Sequence, residues 1–129
     1  MTNAAQLEHV NVTVADPQKT AETLCQIFGW HIRWSGPSKL GGNTVHVGSD
    51  HEYIAVYTLD GRPEPGGDAG LFRGGLNHIG VLVDDLDATE VRVKAAGFEP
   101  FNHAAYEPGR RFYFDDHDGL EFEVVSYSS

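Results

Sequence analysis

The chain has 129 residues, enough for one domain with its own core, and 40% hydrophobic and 22% charged residues are typical of a soluble globular protein. A formal net charge of −10 at pH 7 argues against nucleic acid and anionic membranes as partners, because both carry negative charge. One cysteine excludes an intramolecular disulfide. The N-terminal residues lack the basic and apolar regions typical of a signal peptide, and we expect no membrane span because the sequence has no long apolar run. We therefore expect a cytoplasmic protein.

The first half predicts a strand, a helix and three more strands. The strand covers residues 7–14, and Asp16 followed by Pro17 is typical of a helix start, because Asp caps the first turn and Pro fits its backbone angle. Apolar residues recur at helical spacing as far as Gly29, a common helix stop. The three strands are predicted at residues 30–35, 44–48 and 53–59.

A linker and a second copy of this pattern follow. Gly and Pro make up eight of the sixteen residues from 60 to 75, which predicts a linker. The second half then predicts a strand at 76–84, a helix at 87–96 that Gly97 ends, and strands at 98–103, 111–115 and 120–127.

The two halves are related in sequence. Residues 7–20 and 76–89 align without a gap, and six of the fourteen positions are identical. The order βαβββ therefore occurs twice. This predicts an α+β fold of mostly antiparallel, curved sheets in one domain spanning 1–129, with modules at about 5–59 and 76–127.

The repeat gives two histidines equivalent positions. Side chains alternate along a strand, so His9 and His78 lie opposite the valines that pack against each helix. Glu121 and Glu123 likewise share the polar face of the last strand. If the sheets face one another, two imidazoles and a carboxylate converge, and such a set binds Fe, Mn, Zn, Co or Ni while leaving positions for substrate. The ordinary alternatives are surface histidines and a solvated glutamate.

The turn before the last strand carries a family resemblance. "YFDDHDGLEFE" at 113–123 resembles the pattern aromatic-x-x-Asp-Pro-Asp-Gly-x-x-x-Glu of the vicinal oxygen chelate superfamily, which includes glyoxalase I, extradiol dioxygenases and the fosfomycin- and bleomycin-resistance proteins. His117 replaces the usual Pro. The resemblance implies a divalent metal site of His9, His78 and Glu123, and leaves Glu121 at the rim or in solvent.

Further residues are assigned by the same resemblance. Glyoxalase-type members have a fourth ligand where Ala55 stands, so the chain is more similar to the three-ligand dioxygenases and fosfomycin thiol transferases. Tyr113, ten residues before Glu123, is then a candidate hydrogen-bond donor to a substrate oxyanion, although a buried aromatic residue fits the sequence equally well. His103 is a candidate catalytic acid or base, one residue beyond the usual spacing.

The resemblance implies a metal-dependent enzyme that chelates two neighbouring oxygens of a small-molecule substrate. The reaction is left open between a dioxygenase, a thiol transferase and a lyase or isomerase. The alternative is a metal-free binding or sequestration protein of the bleomycin-resistance kind. Modules in this superfamily pair within one chain or between two, and exposed sheet edges favour pairing, so we expect a homodimer.

Overall fold

The computed structural model describes residues 3–59, 63–106 and 109–127. The chain divides into two compact units, Met1–Pro63 and Glu64–Ser129. Each unit contains one α-helix and one four-stranded sheet, in the order βαβββ. In the parts of the chain that are described, no helix combines the length and the apolar character needed to cross a membrane.

The first unit is a mixed sheet with one helix packed on it. Its elements are β1 (His9–Thr13), α1 (Pro17–Phe28), β2 (His31–Pro37), β3 (Asn43–Gly48) and β4 (Tyr53–Thr58). The strand order is β1-β4-β3-β2, with β1 parallel to β4 and the other pairs antiparallel. Asp16 caps α1 by accepting a hydrogen bond from Lys19 N at 3.2 Å, and the buried face of the helix packs on β3.

The second unit repeats this topology. Its elements are β5 (Ile79–Leu82), α2 (Leu86–Ala95), β6 (Phe101–Tyr106), β7 (Gly109–Asp115) and β8 (Glu121–Ser126), in the order β5-β8-β7-β6. Among the described strands of this sheet, β5 and β8 are parallel and the other neighbours are antiparallel. Three fully buried phenylalanines from β7 and β8 form the centre of its core: Phe112, Phe114 and Phe122. The predicted α+β fold of two mostly antiparallel βαβββ modules is therefore confirmed.

Several predicted boundaries were wrong. The strand predicted at 98–103 begins only at Phe101, because the chain after α2 forms a Schellman motif. Gly97 has φ of 96° and donates its N–H to Lys94 O, while Phe98 N donates to Val93 O. The predicted linker contains a short 3₁₀ helix at Ala69–Leu71, and its residues 60–62 lie outside the described residues.

The helix cap of the second unit can be tested directly. Asp85 accepts a hydrogen bond from Ala88 N at 3.0 Å, so Asp85→Ala should lower the free energy of unfolding by about 1 kcal/mol. Asp84→Ala removes the same charge from the preceding exposed residue and is the control. Urea unfolding of both variants measures the difference. Equal unfolding midpoints for the two variants would contradict the cap.

Candidate metal centre

Glu123 lies on an interior strand of the second sheet, with both of its oxygens bound. Strand register pairs it with Gly80 on β5 and with Tyr113 on β7. Its Oε1 is 2.9 Å from His78 Nε2, and its Oε2 accepts a hydrogen bond from Arg111 Nη1 at 2.7 Å. The Glu123 side chain is 14% exposed, so this carboxylate is largely withdrawn from water. The structure thus brings together two of the three predicted metal ligands.

His78 immediately precedes β5, and the contacts of its two ring nitrogens define its chemistry. Nδ1 is 2.8 Å from Asn77 Oδ1, and Nε2 faces Glu123 Oε1. Both oxygens are hydrogen-bond acceptors, whereas a neutral imidazole carries one N–H. If Nδ1 donates to Asn77, the Nε2 lone pair faces a carboxylate oxygen. In that tautomer Nε2 is available to bind a metal ion beside Oε1, whereas in the other tautomer Nε2 donates a hydrogen bond to Oε1.

His9 has the same local arrangement in the first unit. It is the first residue of β1, and its Nδ1 is 2.9 Å from the Oε1 of the preceding residue, Glu8. Its ring stacks on Tyr53 with 4.9 Å between centroids. In both units, therefore, the side chain just before the histidine binds Nδ1. With the proton on Nδ1, this contact leaves the Nε2 lone pair available to bind a metal. Whether His9 belongs to the same centre as His78 remains a prediction.

Strand register also identifies the counterparts of the other site residues. Ala55 pairs with Asn11 and His46 in the first sheet, as Glu123 pairs with Gly80 and Tyr113 in the second. Ala55 therefore occupies the position equivalent to Glu123, in agreement with the sequence alignment of the two halves. An alanine side chain cannot bind a metal, so this position supplies no fourth ligand.

Tyr113 and His103 lie in different surroundings. The Tyr113 ring meets the His78 ring edge-on at 5.7 Å between centroids, so it flanks the histidine–carboxylate pair. His103 instead contacts Glu90 of α2, with Nε2 2.9 Å from Oε2, and stacks on buried Phe112. A bulge in β6, where Asn102 has φ of 52°, accompanies this direction. The structure does not bring His103 to Glu123.

The turn between β7 and β8 holds Glu123 in place. Asp116 Oδ1 accepts hydrogen bonds from Asp118 N at 2.9 Å and Leu120 N at 3.0 Å, while Gly119 adopts a φ of 80° that favours glycine. Asp116, His117 and Asp118 also offer ligand atoms within 4.8 Å of one another, a second set that could hold a metal. The two hydrogen bonds that Asp116 accepts give it a structural role, which is to hold the turn.

Neither Arg111 nor Asn77 was predicted from the sequence to be a site residue. Arg111 is the first residue of the strand predicted at 111–115, and β7 extends that strand back to Gly109. The available signal was alternation, because Arg111 lies two residues before Tyr113 and so shares its face. Asn77 gave no recognisable signal, since its role depends on a side-chain contact with its neighbour.

Two βαβββ units, each with a histidine at the start of its first strand, define a protein of the glyoxalase-type fold. The model of the Glyoxalase/Bleomycin resistance protein/Dioxygenase superfamily matches residues 6–124, and the chain belongs to this superfamily. Comparison with curated protein sequences finds no match.

Solved structures agree with this assignment. A glyoxylase/bleomycin resistance protein/dioxygenase domain from Frankia sp. EAN1pec is similar with a TM-score of 0.81 and 22% identity, over 96% of this chain and 98% of that one. The fosfomycin resistance protein FosX from Listeria monocytogenes, complexed with Mn(II) and sulfate, has a TM-score of 0.70 and 24% identity, over 96% of this chain and 93% of that one. FosX from Mesorhizobium loti has a TM-score of 0.69 and 20% identity, over 95% of this chain and 92% of that one. These TM-scores establish a shared fold.

The buried Asp116 predicts a specific pH dependence. Burial raises the pKa of this carboxyl above its ordinary value, and the hydrogen bonds from the turn only partly oppose the rise. The folded state therefore binds the proton more tightly than the unfolded state, and ionised Asp116 lowers stability at neutral pH. This penalty disappears as the pH falls through the raised pKa.

Asp116→Asn removes the titration and keeps an oxygen acceptor for the turn. Between pH 7 and pH 4.5 the stability of the wild type, relative to Asp116→Asn, should therefore increase as the pH is lowered. Urea unfolding at each pH measures this difference, and other carboxylates cancel from it. Asp115→Asn, at the exposed neighbouring residue, is the control. A difference that stays constant, or that changes in the opposite sense, would contradict the assignment.

Proposed function

We propose that this chain is a metal-dependent enzyme in which His78 and Glu123, together with His9, bind one divalent metal ion. The metal is Fe, Mn, Zn, Co or Ni. The main support is that His78 Nε2 and Glu123 Oε1, an imidazole nitrogen and a carboxylate oxygen of the kinds that bind divalent metals, lie 2.9 Å apart. The Mn(II) bound to FosX from Listeria monocytogenes supports a divalent metal in this superfamily.

The residues fit such a metal. Imidazole nitrogen with one carboxylate suits first-row transition metals and zinc, whereas Ca²⁺ requires six to eight oxygen ligands. Three protein ligands leave positions for a substrate, as in catalytic centres.

The proposed reaction acts on a small molecule that presents two neighbouring oxygens. A divalent metal in this centre would supply Lewis-acid stabilisation of the charge that develops on those oxygens. Tyr113, whose ring flanks His78, is proposed to donate a hydrogen bond to the same oxyanion through its phenol. The reaction is one of the dioxygenase, thiol transferase or lyase and isomerase classes.

A second candidate is a metal-free binding protein. It is favoured by an aromatic surface of the first unit, where Tyr53 stacks on His9 and on His46, and His46 contacts Trp34. Trp34 is 49% exposed, which leaves much of its ring for a planar ligand. A protein of this kind would bind its ligand equally well after treatment with a chelator, and the proposed enzyme would not.

The ligand assignment is tested by substitution. His9→Ala, His78→Ala and Glu123→Ala should each lower the affinity for Co²⁺ strongly, because each removes one of three ligands, while circular dichroism stays unchanged. Glu121→Ala is the matched control, since it makes the same change two residues along the same strand face. Calorimetric titration of the untagged protein with Co²⁺ and with Ca²⁺ gives the affinities.

The outcome separates three assignments. Loss of Co²⁺ binding in Glu121→Ala but not in Glu123→Ala would mean that Glu121 is the ligand. Preferential binding of Ca²⁺ by the wild type, with Co²⁺ bound weakly, would favour an all-oxygen site such as one built from Asp116 and Asp118. Binding that is selective for Co²⁺ and sensitive to His78 supports the proposed centre.

We also propose a homodimer. The strands β1 and β5 lie at sheet edges, and exposed Leu82 on β5 adds apolar surface there. If modules pair between chains, one chain supplies His9 and its partner supplies His78 and Glu123. Mixing His9→Ala with Glu123→Ala subunits should then restore about one Co²⁺ site per mixed dimer. Verified subunit exchange without such recovery would mean that each centre lies within one chain.

A further inference from the structure

Arg111 is largely buried, which is unusual for an arginine. It lies on β7 with its side chain 13% exposed, and its Nη1 donates to Glu123 Oε2 at 2.7 Å. The neighbouring Arg110 points to the other side of the sheet, where it pairs with Asp87 of α2 at 3.3 Å and is 48% exposed. Two adjacent arginines thus have opposite environments, and only Arg111 contacts the candidate centre.

Stability alone does not explain this buried pair. Withdrawing two charges from water costs free energy that their attraction only about repays, so such pairs are weak contributors to folding. The pair instead gives the two oxygens of the carboxylate different partners. Arg111 binds Oε2, His78 faces Oε1, and the carboxylate plane is therefore held at two points. A charge-assisted hydrogen bond of this length is among the strongest that a protein makes.

We propose that Arg111 is a positioning residue that presents Oε1 of Glu123 to the metal and withholds Oε2 from it. This inference rests on the proposed function, because it requires Glu123 to be a ligand. The pair makes Glu123 a one-oxygen ligand of fixed orientation, and the guanidinium offsets part of its charge. Partners that orient a ligand in this way typically change metal affinity by about 10- to 100-fold.

Two effects of Arg111 on the metal oppose each other, and the experiment separates them. As a cation it repels the metal, so charge alone predicts tighter binding when Arg111 is removed. As a positioning residue it predicts weaker binding. Arg111→Met removes charge and hydrogen bonds but keeps most of the apolar stem, whereas Arg111→Lys keeps the charge and loses the planar fork. Arg110→Met makes the same charge change on the other face and is the control.

The full-length variants are freed of metal and titrated with Co²⁺, and both the affinity and the visible Co²⁺ absorption are recorded. Arg111→Met should weaken binding by about tenfold or more and alter the absorption bands, since the freed carboxylate adopts other orientations. Arg111→Lys should recover part of the affinity. Arg110→Met should match the wild type in both measurements.

The failing outcomes are distinct. If Arg111→Met binds Co²⁺ at least as tightly as the wild type and its absorption is unchanged, the positioning role is wrong and the metal centre stands. If the wild type does not bind Co²⁺, or binds it independently of His78 and Glu123, the positioning role and the metal centre are both wrong. Thermal unfolding of each metal-free variant verifies folding, and Arg111→Lys gives the decisive comparison if Arg111→Met does not fold. A lower melting temperature with unchanged affinity also counts against positioning.

Discussion

A carboxylate that is largely withdrawn from water needs a partner for each of its oxygens, and Glu123 is such a carboxylate. His78 meets one oxygen from the start of β5, and Arg111 meets the other from β7. Removal of one partner from a buried charged pair commonly costs about 3–5 kcal/mol, so the three side chains act as a unit. The strands β5, β8 and β7 must therefore keep one alignment for the group to exist.

That alignment is fixed by the opposite face of the same strands. Along β7 and β8, buried phenylalanines alternate with the residues of the polar group, so the core and the group share one register. A slip of one residue would move the charged side chains into the core and the phenyl rings out of it. The turn held by Asp116 and Gly119 pins this register at the end of the hairpin. The apolar core thus determines where the polar group lies.

Much of this could be predicted from local pattern. Alternation and the internal repeat gave both βαβββ modules, the faces of the strands and the equivalence of His9 with His78, because each depends on periodicity within one segment. The start of β6 could not be predicted, since the helix continues into a Schellman motif through backbone hydrogen bonds. The direction of His103 depends on a bulge, and the role of Arg111 on a contact across two strands. Such features arise from tertiary geometry that periodicity does not encode.

The repeat gives the two histidines equivalent positions, but the partners of their Nδ1 atoms differ chemically. Glu8 offers an anionic oxygen to Nδ1 of His9, whereas Asn77 offers a neutral amide oxygen to Nδ1 of His78. A negative partner on Nδ1 pushes electron density toward Nε2, so His9 is the stronger electron donor of the two. If each histidine bound a metal ion through Nε2, His9 would therefore give that ion more electron density than His78 would. The residue before each strand thus tunes an imidazole whose place in its own sheet the repeat has already fixed.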